Sequence, residues 1–239
     1  YQPSSGQTSC IEASAGHYVD TNGSTTQTPC DAGTWTDQTG QASCTNASAG
    51  YYVDTNGSTS QTPCSTGTWN NMTGQAVCTN ASSGYYVDTN GSTSQTPCSA
   101  GTYNPNSSSN SSADCSDVPA GNYSIPGSAS PTLCSIGTWQ DQAGQSSCMN
   151  ASAGHYVGTN GSTSQTPCPT GTWNNMTGQA ACTNASSGYY VGTNGSAAQT
   201  PCPTGTWNNM TGQASCAPAS PGYYVDSNGS TSQTPCDAG

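Results

Sequence analysis

The spacing of cysteines constrains this chain more than any other feature of its sequence. Fourteen cysteines occur in 239 residues, and the gaps between them alternate between 20 and 14 residues, except around Cys115, where they are 17 and 19. The surrounding residues repeat with the same 34-residue period in seven copies, as in the segments that start at Gly50 and Gly84. A fixed period of this length predicts an array of repeats in which each unit contacts only its neighbours.

The composition excludes a large hydrophobic core. Leu, Ile, Val and Phe together number twelve, which is about 5% of the chain, whereas ~20% is the level below which disorder is suspected. Evenly spaced cysteines in such a polar chain indicate disulfides formed in an oxidising compartment, rather than reduced cytosolic thiols or metal ligands. We therefore expect an extracellular or cell-surface protein. Because the sequence starts and stops in mid-repeat, we also expect it to be part of a longer chain.

The charge balance excludes several classes of partner. Lys and Arg are absent and eleven acidic residues give a net charge of -11. Nucleic-acid binding depends largely on Lys and Arg contacts to phosphates, so no nucleic-acid partner is expected. Basic patches that bind anionic membranes are also missing, and no apolar stretch is long enough to span a bilayer, so no membrane contact is expected in this segment.

Each 34-residue repeat consists of two related halves of 17 residues. The Gly-Thr-Trp that starts at Gly33 is echoed by Gly-Tyr-Tyr from Gly50 and by Gly-Thr-Trp from Gly67. Helical tetratricopeptide repeats share the period, but no helical apolar stripe is present, and turn residues recur every eight to ten residues between Tyr, Val, Thr and Trp. We expect a small disulfide-rich all-β fold, a linear tandem array of short β-hairpins that is rod-like and without a large core. Repeats are regular over 1–102 and 135–239 and irregular over 103–134.

The hairpin tips and the aromatic residues carry further expectations. The Asn-Gly of Asp-Thr-Asn-Gly-Ser predicts a turn with a positive φ at both central residues. The Gly-Thr-Trp half is expected to be a second hairpin that its disulfide closes. A Gly before each aromatic pair allows backbone and rings to approach closely, and the rings of successive halves are expected to stack as the only core. The alternative is that the rings are half exposed and only stiffen each hairpin.

The repeat resembles a known family. Its pattern of cysteines before Gly-Thr-Trp or Gly-Tyr-Tyr is similar to Cys-x-x-Cys-Pro-x-Gly-Thr-Tyr, the motif of the ephrin-receptor-like cysteine-rich repeats of long extracellular proteins. The resemblance covers the whole chain, but each Cys-x-x-Cys has lost one member. Ala47 stands where the second Cys after Cys44 is expected, and Gln61 stands where the first Cys before Cys64 is expected.

The resemblance suggests a disulfide register. If each half once had its own bridge, one half has lost both partners together, and the surviving bridges join cysteines across the shorter gap. These are Cys30–Cys44, Cys64–Cys78, Cys98–Cys115, Cys134–Cys148, Cys168–Cys182 and Cys202–Cys216. In this register Cys10 and Cys236 pair outside the segment. The alternative register joins cysteines across the 20-residue gap, as in Cys10–Cys30, and leaves no cysteine unpaired.

Asn-x-Ser/Thr sequons recur in register with the repeat, as Asn-Gly-Ser, Asn-Ala-Ser and Asn-Met-Thr. Recurrence in a cysteine-rich chain favours N-glycosylation, although duplication of an Asn-rich repeat would also multiply the triplet. The sixteen candidates are Asn22, Asn46, Asn56, Asn71, Asn80, Asn90, Asn106, Asn110, Asn122, Asn150, Asn160, Asn175, Asn184, Asn194, Asn209 and Asn228. Covalently attached glycans are therefore expected, and no other cofactor.

The sequence offers no catalytic or metal-binding constellation. Glu12 is the only Glu, and His17 and His155 each replace the first Tyr of a Tyr-Tyr pair, so we interpret them as tolerated aromatic substitutes. Asp-Thr-Asn-Gly-Ser starts like a calcium loop but lacks the closing Glu, which favours a plain turn. We expect no enzyme and no metal site.

The function predicted from these features is structural. The first hypothesis is the shaft of an extracellular glycosylated fibril, flagellar hair or surface filament, in which the partners are other repeats and possibly identical chains. The second is the repeat stalk of a cell-surface receptor or adhesin whose binding domain lies outside this segment. A third is a mucin-like disordered spacer.

Overall fold

The computed structural model describes residues 1–237, in which nearly all regular secondary structure consists of two-residue strands. Twenty-six strands pair in consecutive couples and form thirteen two-stranded hairpins over these residues. Pairing is antiparallel, with Tyr51 opposite Pro63 and Tyr52 opposite Thr62 in one example. The predicted all-β array of short hairpins without a large core is confirmed.

The strands follow one another at short intervals along the whole described chain. The first twelve are β1 (His17–Tyr18), β2 (Thr28–Pro29), β3 (Thr34–Trp35), β4 (Thr45–Asn46), β5 (Tyr51–Tyr52), β6 (Thr62–Pro63), β7 (Thr68–Trp69), β8 (Thr79–Asn80), β9 (Tyr85–Tyr86), β10 (Thr96–Pro97), β11 (Thr102–Tyr103) and β12 (Ser116–Asp117). The other fourteen are β13 (Asn122–Tyr123), β14 (Thr132–Leu133), β15 (Thr138–Trp139), β16 (Met149–Asn150), β17 (His155–Tyr156), β18 (Thr166–Pro167), β19 (Thr172–Trp173), β20 (Thr183–Asn184), β21 (Tyr189–Tyr190), β22 (Thr200–Pro201), β23 (Thr206–Trp207), β24 (Ala217–Pro218), β25 (Tyr223–Tyr224) and β26 (Thr234–Pro235).

Two kinds of hairpin alternate along the chain and correspond to the two 17-residue halves. We call those that begin with Tyr-Tyr, or its variants His-Tyr and Asn-Tyr, tyrosine hairpins; β1–β2 and β5–β6 are examples. Those that begin with Thr-Trp, or Thr-Tyr at β11, are tryptophan hairpins, such as β3–β4 and β7–β8. The predicted division of each repeat into two hairpins is therefore confirmed.

The tips of the tyrosine hairpins differ from the predicted turn. Residues 53–61 separate β5 from β6, and within this loop Gly57 has φ +75° whereas Asn56 stays at negative φ. The expectation of positive φ at both central residues is wrong, because only a two-residue connection imposes that requirement. In a longer loop one glycine after Asn is sufficient, as it is in a type II turn.

Small residues, rather than aromatic rings, fill the space between hairpins. Cys64 and Ala47 are fully buried and Val53 is nearly so, whereas Tyr51 and Trp69 are only half-buried. The expectation that stacked rings form the only core is therefore wrong, and the half-exposed alternative describes the rings better. The physical reason is that neighbouring backbones approach too closely to admit a ring between them.

The irregular copy contains an ordered turn in place of a glycine tip. Ser108 has φ +59° and is the one non-glycine residue with positive φ in residues 1–237. A 3-10 helix, Ser112–Asp114, follows it and begins with a capping box, in which the Ser111 hydroxyl accepts the Ala113 N–H and the Asp114 carboxylate accepts the Ser111 N–H. These local bonds order the three extra residues of the disulfide loop.

The chain divides into two compact units. The first comprises Tyr1–Ser116 together with Pro126–Ser130, and the second comprises Asp117–Ile125 together with 131–237. Each unit is built from the same alternating hairpins and the same junctions between them.

Candidate functional site: hairpin junctions

Disulfides form one kind of junction between successive hairpins. Cys64 follows the last strand of a tyrosine hairpin, where its N–H donates to the Gly50 carbonyl, and Cys78 directly precedes β8 of the next hairpin. The bond therefore joins two hairpins and does not close one, which corrects the sequence expectation. The reason is that the Cys64 backbone extends the preceding hairpin.

The structure contains six such disulfides, and they follow the register across the shorter gap. Cα–Cα distances of 5.7–5.8 Å lie in the ordinary range for disulfides. The first cysteine of each pair is fully buried, and loops of this length contribute ~3 kcal/mol in the chain-entropy description. Cys10 and Cys236 are free and exposed. The bonds are Cys30–Cys44, Cys64–Cys78, Cys98–Cys115, Cys134–Cys148, Cys168–Cys182 and Cys202–Cys216.

A glutamine replaces the disulfide at the alternate junctions. Ala47 is buried where the first cysteine would lie, and Gln61 occupies the position of the second. The Ser48 N–H donates to Gln61 Oε1 at 2.6 Å, and Gln61 Nε2 donates to the Ser48 hydroxyl at 3.2 Å. The Ser N–H to Gln Oε1 bond recurs at Ser14–Gln27, Ser82–Gln95, Ser152–Gln165, Ser186–Gln199 and Ser220–Gln233.

This glutamine clamp, as we call the Gln61–Ser48 pair and its equivalents, was missed in the sequence. We interpreted Ala47 and Gln61 as the remains of a lost disulfide, which explains an absence but assigns no role to the glutamine. The signal that could have revealed it was the recurrence of Gln-Thr-Pro at each of these positions within the chain. A side chain that repeats beside missing cysteines indicates a replacement for them.

The tip of a tyrosine hairpin contacts the residues that directly follow the preceding tyrosine hairpin. The tip of β5–β6, for example, contacts residues 30–32, which follow β1–β2. Gly57 N–H donates to the Cys30 carbonyl at 2.7 Å, and the Ala32 N–H donates to Asn56 Oδ1 at 2.9 Å. We call this pair of bonds the tip lock. It recurs with Asn–Gly tips at Asn90–Gly91, Asn160–Gly161, Asn194–Gly195 and Asn228–Gly229. Asparagines that the sequence marked only as turn residues and sequons therefore also hold hairpins together.

A glycine directly before a tyrosine hairpin makes the tip lock sterically possible, as Gly50 shows. Gly50 has φ +82°, and a Cβ placed on it would overlap the carbonyl oxygen of Gly91. The predicted close approach at these glycines is correct, but the partner is a backbone carbonyl and not a ring. A backbone hydrogen bond to the next hairpin lies beside this contact, since the Gly50 N–H donates to the Asn70 carbonyl at 2.8 Å.

Buried amide side chains add hydrogen bonds to the backbone at these junctions. Asn70 is only 4% exposed, and its Nδ2 donates to the carbonyls of Tyr51 at 3.3 Å and Val77 at 3.0 Å. Such bonds satisfy backbone acceptors that no strand partner reaches. This position was overlooked in the sequence; it is polar and buried in each tryptophan hairpin, as Thr36, Asn70, Asn104, Gln140, Asn174 and Asn208.

The candidate glycosylation sites lie mostly on the surface. Fifteen of the sixteen sequon asparagines are exposed, and the exception is Asn122. Asn122 is half-buried in β13, its Nδ2 donates to the Ala120 carbonyl at 3.2 Å, and Ser124 of its sequon is 1% exposed. All sixteen remain predictions, and the geometry favours Asn122 least.

The residues considered for chemistry lie apart from one another. Glu12 accepts a hydrogen bond from the Thr39 hydroxyl at 2.9 Å, and the Nδ1 atoms of His17 and His155 each lie 3.3 Å from a backbone carbonyl two residues earlier. Residues 1–237 contain no group of three His, Cys, Asp or Glu side chains that could hold a metal ion. They also contain no helix long and apolar enough to cross a membrane.

Comparison with known proteins adds one match. Residues 121–168 match the family model described as tyrosine-protein kinase ephrin type A/B receptor-like. This segment is therefore similar to the ephrin-receptor-like repeats. The resemblance expected from the cysteine pattern is thus confirmed for residues 121–168, and the six disulfides in a repeated pattern agree with it. No curated protein matches the chain.

The ephrin-receptor-like segment contains the Cys134–Cys148 bond and the tip of the hairpin β17–β18, with the bond of Asn160 to Ile136. Both kinds of contact therefore occur within the matched residues and again elsewhere in the chain. Disulfide-rich repeats of this kind are typical of extracellular or cell-surface domains.

Proposed function

We propose that the chain is a segment of the structural shaft of an extracellular glycosylated fibril, flagellar hair or surface filament. The observation that carries the proposal is the repetition of the junctions. In the first unit Gly50 N–H bonds to the next hairpin at Asn70, and the tip at Gly91 bonds back to Cys64. A force applied along such a chain would be resisted at every repeat by backbone hydrogen bonds, glutamine clamps and disulfides. Because each added copy brings the same contacts, the array can lengthen without junctions that are less stable than the others.

The surface geometry supports a glycan coat on this array. At Asn56 the side-chain Oδ1 accepts the Ala32 N–H, while Nδ2 donates no hydrogen bond within residues 1–237. Nδ2 is the atom to which an N-linked sugar is attached, so glycosylation leaves the tip lock in place. The coat would shield exposed strand edges, which otherwise invite pairing with other chains.

A second candidate is the repeat stalk of a cell-surface receptor or adhesin. The match of residues 121–168 to an ephrin-receptor-like family favours it. The third hypothesis, a disordered mucin-like spacer, disagrees with thirteen hydrogen-bonded hairpins in the described residues.

Immunogold electron microscopy tests the proposal. Antibodies raised against the oxidised segment are applied to unpermeabilised cells and to the extracellular material separated from them. If the chain forms a shaft, we expect gold particles along the length of filaments, because the antibody recognises a repeated segment. The control is the same antibody preincubated with the segment.

The two structural candidates give different results in this experiment. If the label stays on the cell membrane after filaments are sheared off, the result would contradict the shaft and favour the stalk. Label confined to the cell interior would contradict both candidates.

A further inference from the structure

Three tryptophan hairpins carry a glycosylation sequon at a fixed distance from their ring. In the sequence Trp-Asn-Asn-Met-Thr, the sequon asparagine stands two residues after the tryptophan. We call this five-residue segment the aromatic sequon; it begins at Trp69, Trp173 and Trp207. The other two tryptophans of the chain are followed at the same distance by aspartate, as Trp139 is by Asp141. The spacing therefore recurs without being a requirement of the hairpin.

The ring and the sequon asparagine lie on the same side of the backbone. Side chains alternate between the two sides of an extended chain, so residues two apart share a side. Asn70 is only 4% exposed, whereas Trp69 before it is half-buried and Asn71 after it is exposed. The same order of half-buried ring, buried amide and exposed asparagine starts at Trp173 and at Trp207.

The tyrosine hairpins show how close such a pair comes. Tyr156 and Gly158 occupy the positions that Trp173 and Asn175 occupy 17 residues later. A Cβ on Gly158 would lie 3.8 Å from Cε2 of Tyr156, which is van der Waals contact. A side chain at this position therefore starts against the ring two residues before it. The first sugar on Asn175 is linked only a few covalent bonds beyond Cβ, so it lies within reach of the Trp173 ring.

The exposed part of each ring is apolar. Nε1 of all five tryptophans is buried, so only carbon atoms of the indole face solvent. At one aromatic sequon, Trp207, Asn209 and Met210 line a surface groove that residues 207–218 form by themselves. The methionines of the three aromatic sequons are 59–60% exposed, so this surface is alike in the three copies.

We propose that the first N-acetylglucosamine on Asn71, Asn175 and Asn209 packs its apolar face against the tryptophan ring and stabilises the hairpin. The inference rests on the glycosylation that is part of the proposed function. When the sugar is attached, Nδ2 loses a proton and bonds to C1 of the sugar, which leaves its lipid-linked diphosphate carrier. One face of the pyranose ring carries mainly C–H groups, and covering the indole with it removes apolar surface from water. Sugars at the hairpin tips lack this contact, because Asp54 stands two residues before Asn56.

A double-mutant cycle in the Trp69 hairpin tests the proposal by hydrogen exchange. The whole chain is secreted from cultured cells, its N-glycans are trimmed enzymatically to one N-acetylglucosamine, and its disulfides and sugar occupancy are verified by mass spectrometry. Thr73→Ala removes the sequon but keeps Trp69 and Asn71. We expect the peptides of β7–β8 to exchange about two- to tenfold faster in this variant.

Three controls isolate the contact between sugar and ring. In the chain produced without N-glycans, Thr73→Ala is expected to leave exchange unchanged, which separates the effect of the sugar from that of the threonine. In the glycosylated Trp69→Leu chain, Thr73→Ala is also expected to have no effect, because coupling between two groups vanishes when one is absent. The double substitution Asp141→Asn and Ala143→Thr builds an aromatic sequon at Trp139 and removes no ring, so it remains informative if Trp69→Leu does not fold. The sugar added there should slow exchange of β15–β16 about two- to tenfold.

The outcomes separate this inference from the proposed function. If the three asparagines carry no sugar, both the contact and the glycan coat at these sites are contradicted. If the sugar is present but Thr73→Ala does not change exchange in the glycosylated chain, the contact with the ring is refuted and the coat stands. An effect of Thr73→Ala that persists in Trp69→Leu would also overturn the proposal, since the sugar would then act without the ring. None of these results depends on whether the chain is a shaft or a stalk.

Discussion

Replacing Gly50 by Ala tests the steric basis of the tip lock. A methyl group at this position would overlap the carbonyl oxygen of Gly91 and lie about 2.8 Å from its carbonyl carbon. Backbone atoms cannot yield as a flexible side chain does, so the tip must move away. Gly40 provides the control, because it also has a positive φ, at +69°, and the nearest atoms to a Cβ there belong to the Glu12 side chain at 3.6 Å.

The structure sets the magnitude of the two effects. Both substitutions place a Cβ at positive φ, which costs roughly 1–2 kcal/mol. Gly50→Ala also breaks the Gly91 bond to the Cys64 carbonyl at 2.8 Å and the Thr66 bond to Asn90 Oδ1 at 3.0 Å. At ~0.5–1.5 kcal/mol net for each bond, the extra loss of local stability is about 1–3 kcal/mol.

Amide hydrogen exchange of the tip peptide measures this loss. Repeat arrays open locally, so exchange at Gly91 is more informative than one melting temperature for the whole chain. We expect Gly91 to exchange ~5- to 150-fold faster in Gly50→Ala than in the parent chain, with no such increase in Gly40→Ala. If Gly91 exchanges equally in both variants, the close contact at Gly50 does not hold the tip in place.

Three other predictions follow from the junctions and the sequons. The double substitution Ala47→Cys and Gln61→Cys should form a seventh disulfide, which would be seen as the loss of two thiols in mass spectrometry with alkylation; persistent free thiols would show that the two positions are not equivalent to a cysteine pair. In the chain produced without N-glycans, Asn70→Leu should destabilise its hairpin by roughly 2–4 kcal/mol in hydrogen-exchange measurements, because two backbone carbonyls lose their donor. Asn71→Leu, at the exposed neighbouring residue, should have little effect. Similar losses of stability in both variants would contradict the role of the buried amide. Enzymatic removal of N-glycans from the secreted protein should convert most sequon asparagines to aspartate and leave Asn122 unconverted; an unchanged mass would mean that the sequons are by-products of duplication.

The turns and the cysteine spacing predicted the hairpins well, because both signals are local. Asn56-Gly57 favours a turn whatever surrounds it, and strand-forming residues flank it at a fixed distance. The spacing of Cys64 and Cys78 limited the disulfides to two registers. Neither signal reports how one hairpin lies against the next, since that depends on residues far apart in the sequence.

The junction site was only partly predictable for the same reason. Gln61 and Ser48 are 13 residues apart, and Asn56 and Ala32 are 24 apart, so no local pattern reveals either pairing. The aromatic residues misled the core prediction, because burial was inferred from their size. The buried positions are occupied instead by small residues and by amides such as Asn70. Close packing determines these residues, and their hydrophobicity does not predict their burial.

The sequence by itself determined the repeat, the two hairpins in each copy and the absence of a large core, because periodicity, turn residues and apolar content are properties of the chain. Only the tertiary structure decided what links the hairpins. Gly50 must lack a side chain because the Gly91 carbonyl lies against it, and Gln61 carries an amide that both accepts the Ser48 N–H and donates to the Ser48 hydroxyl. These requirements arise when hairpins separated along the chain meet in space, and hydrogen-bond geometry and steric overlap then fix them.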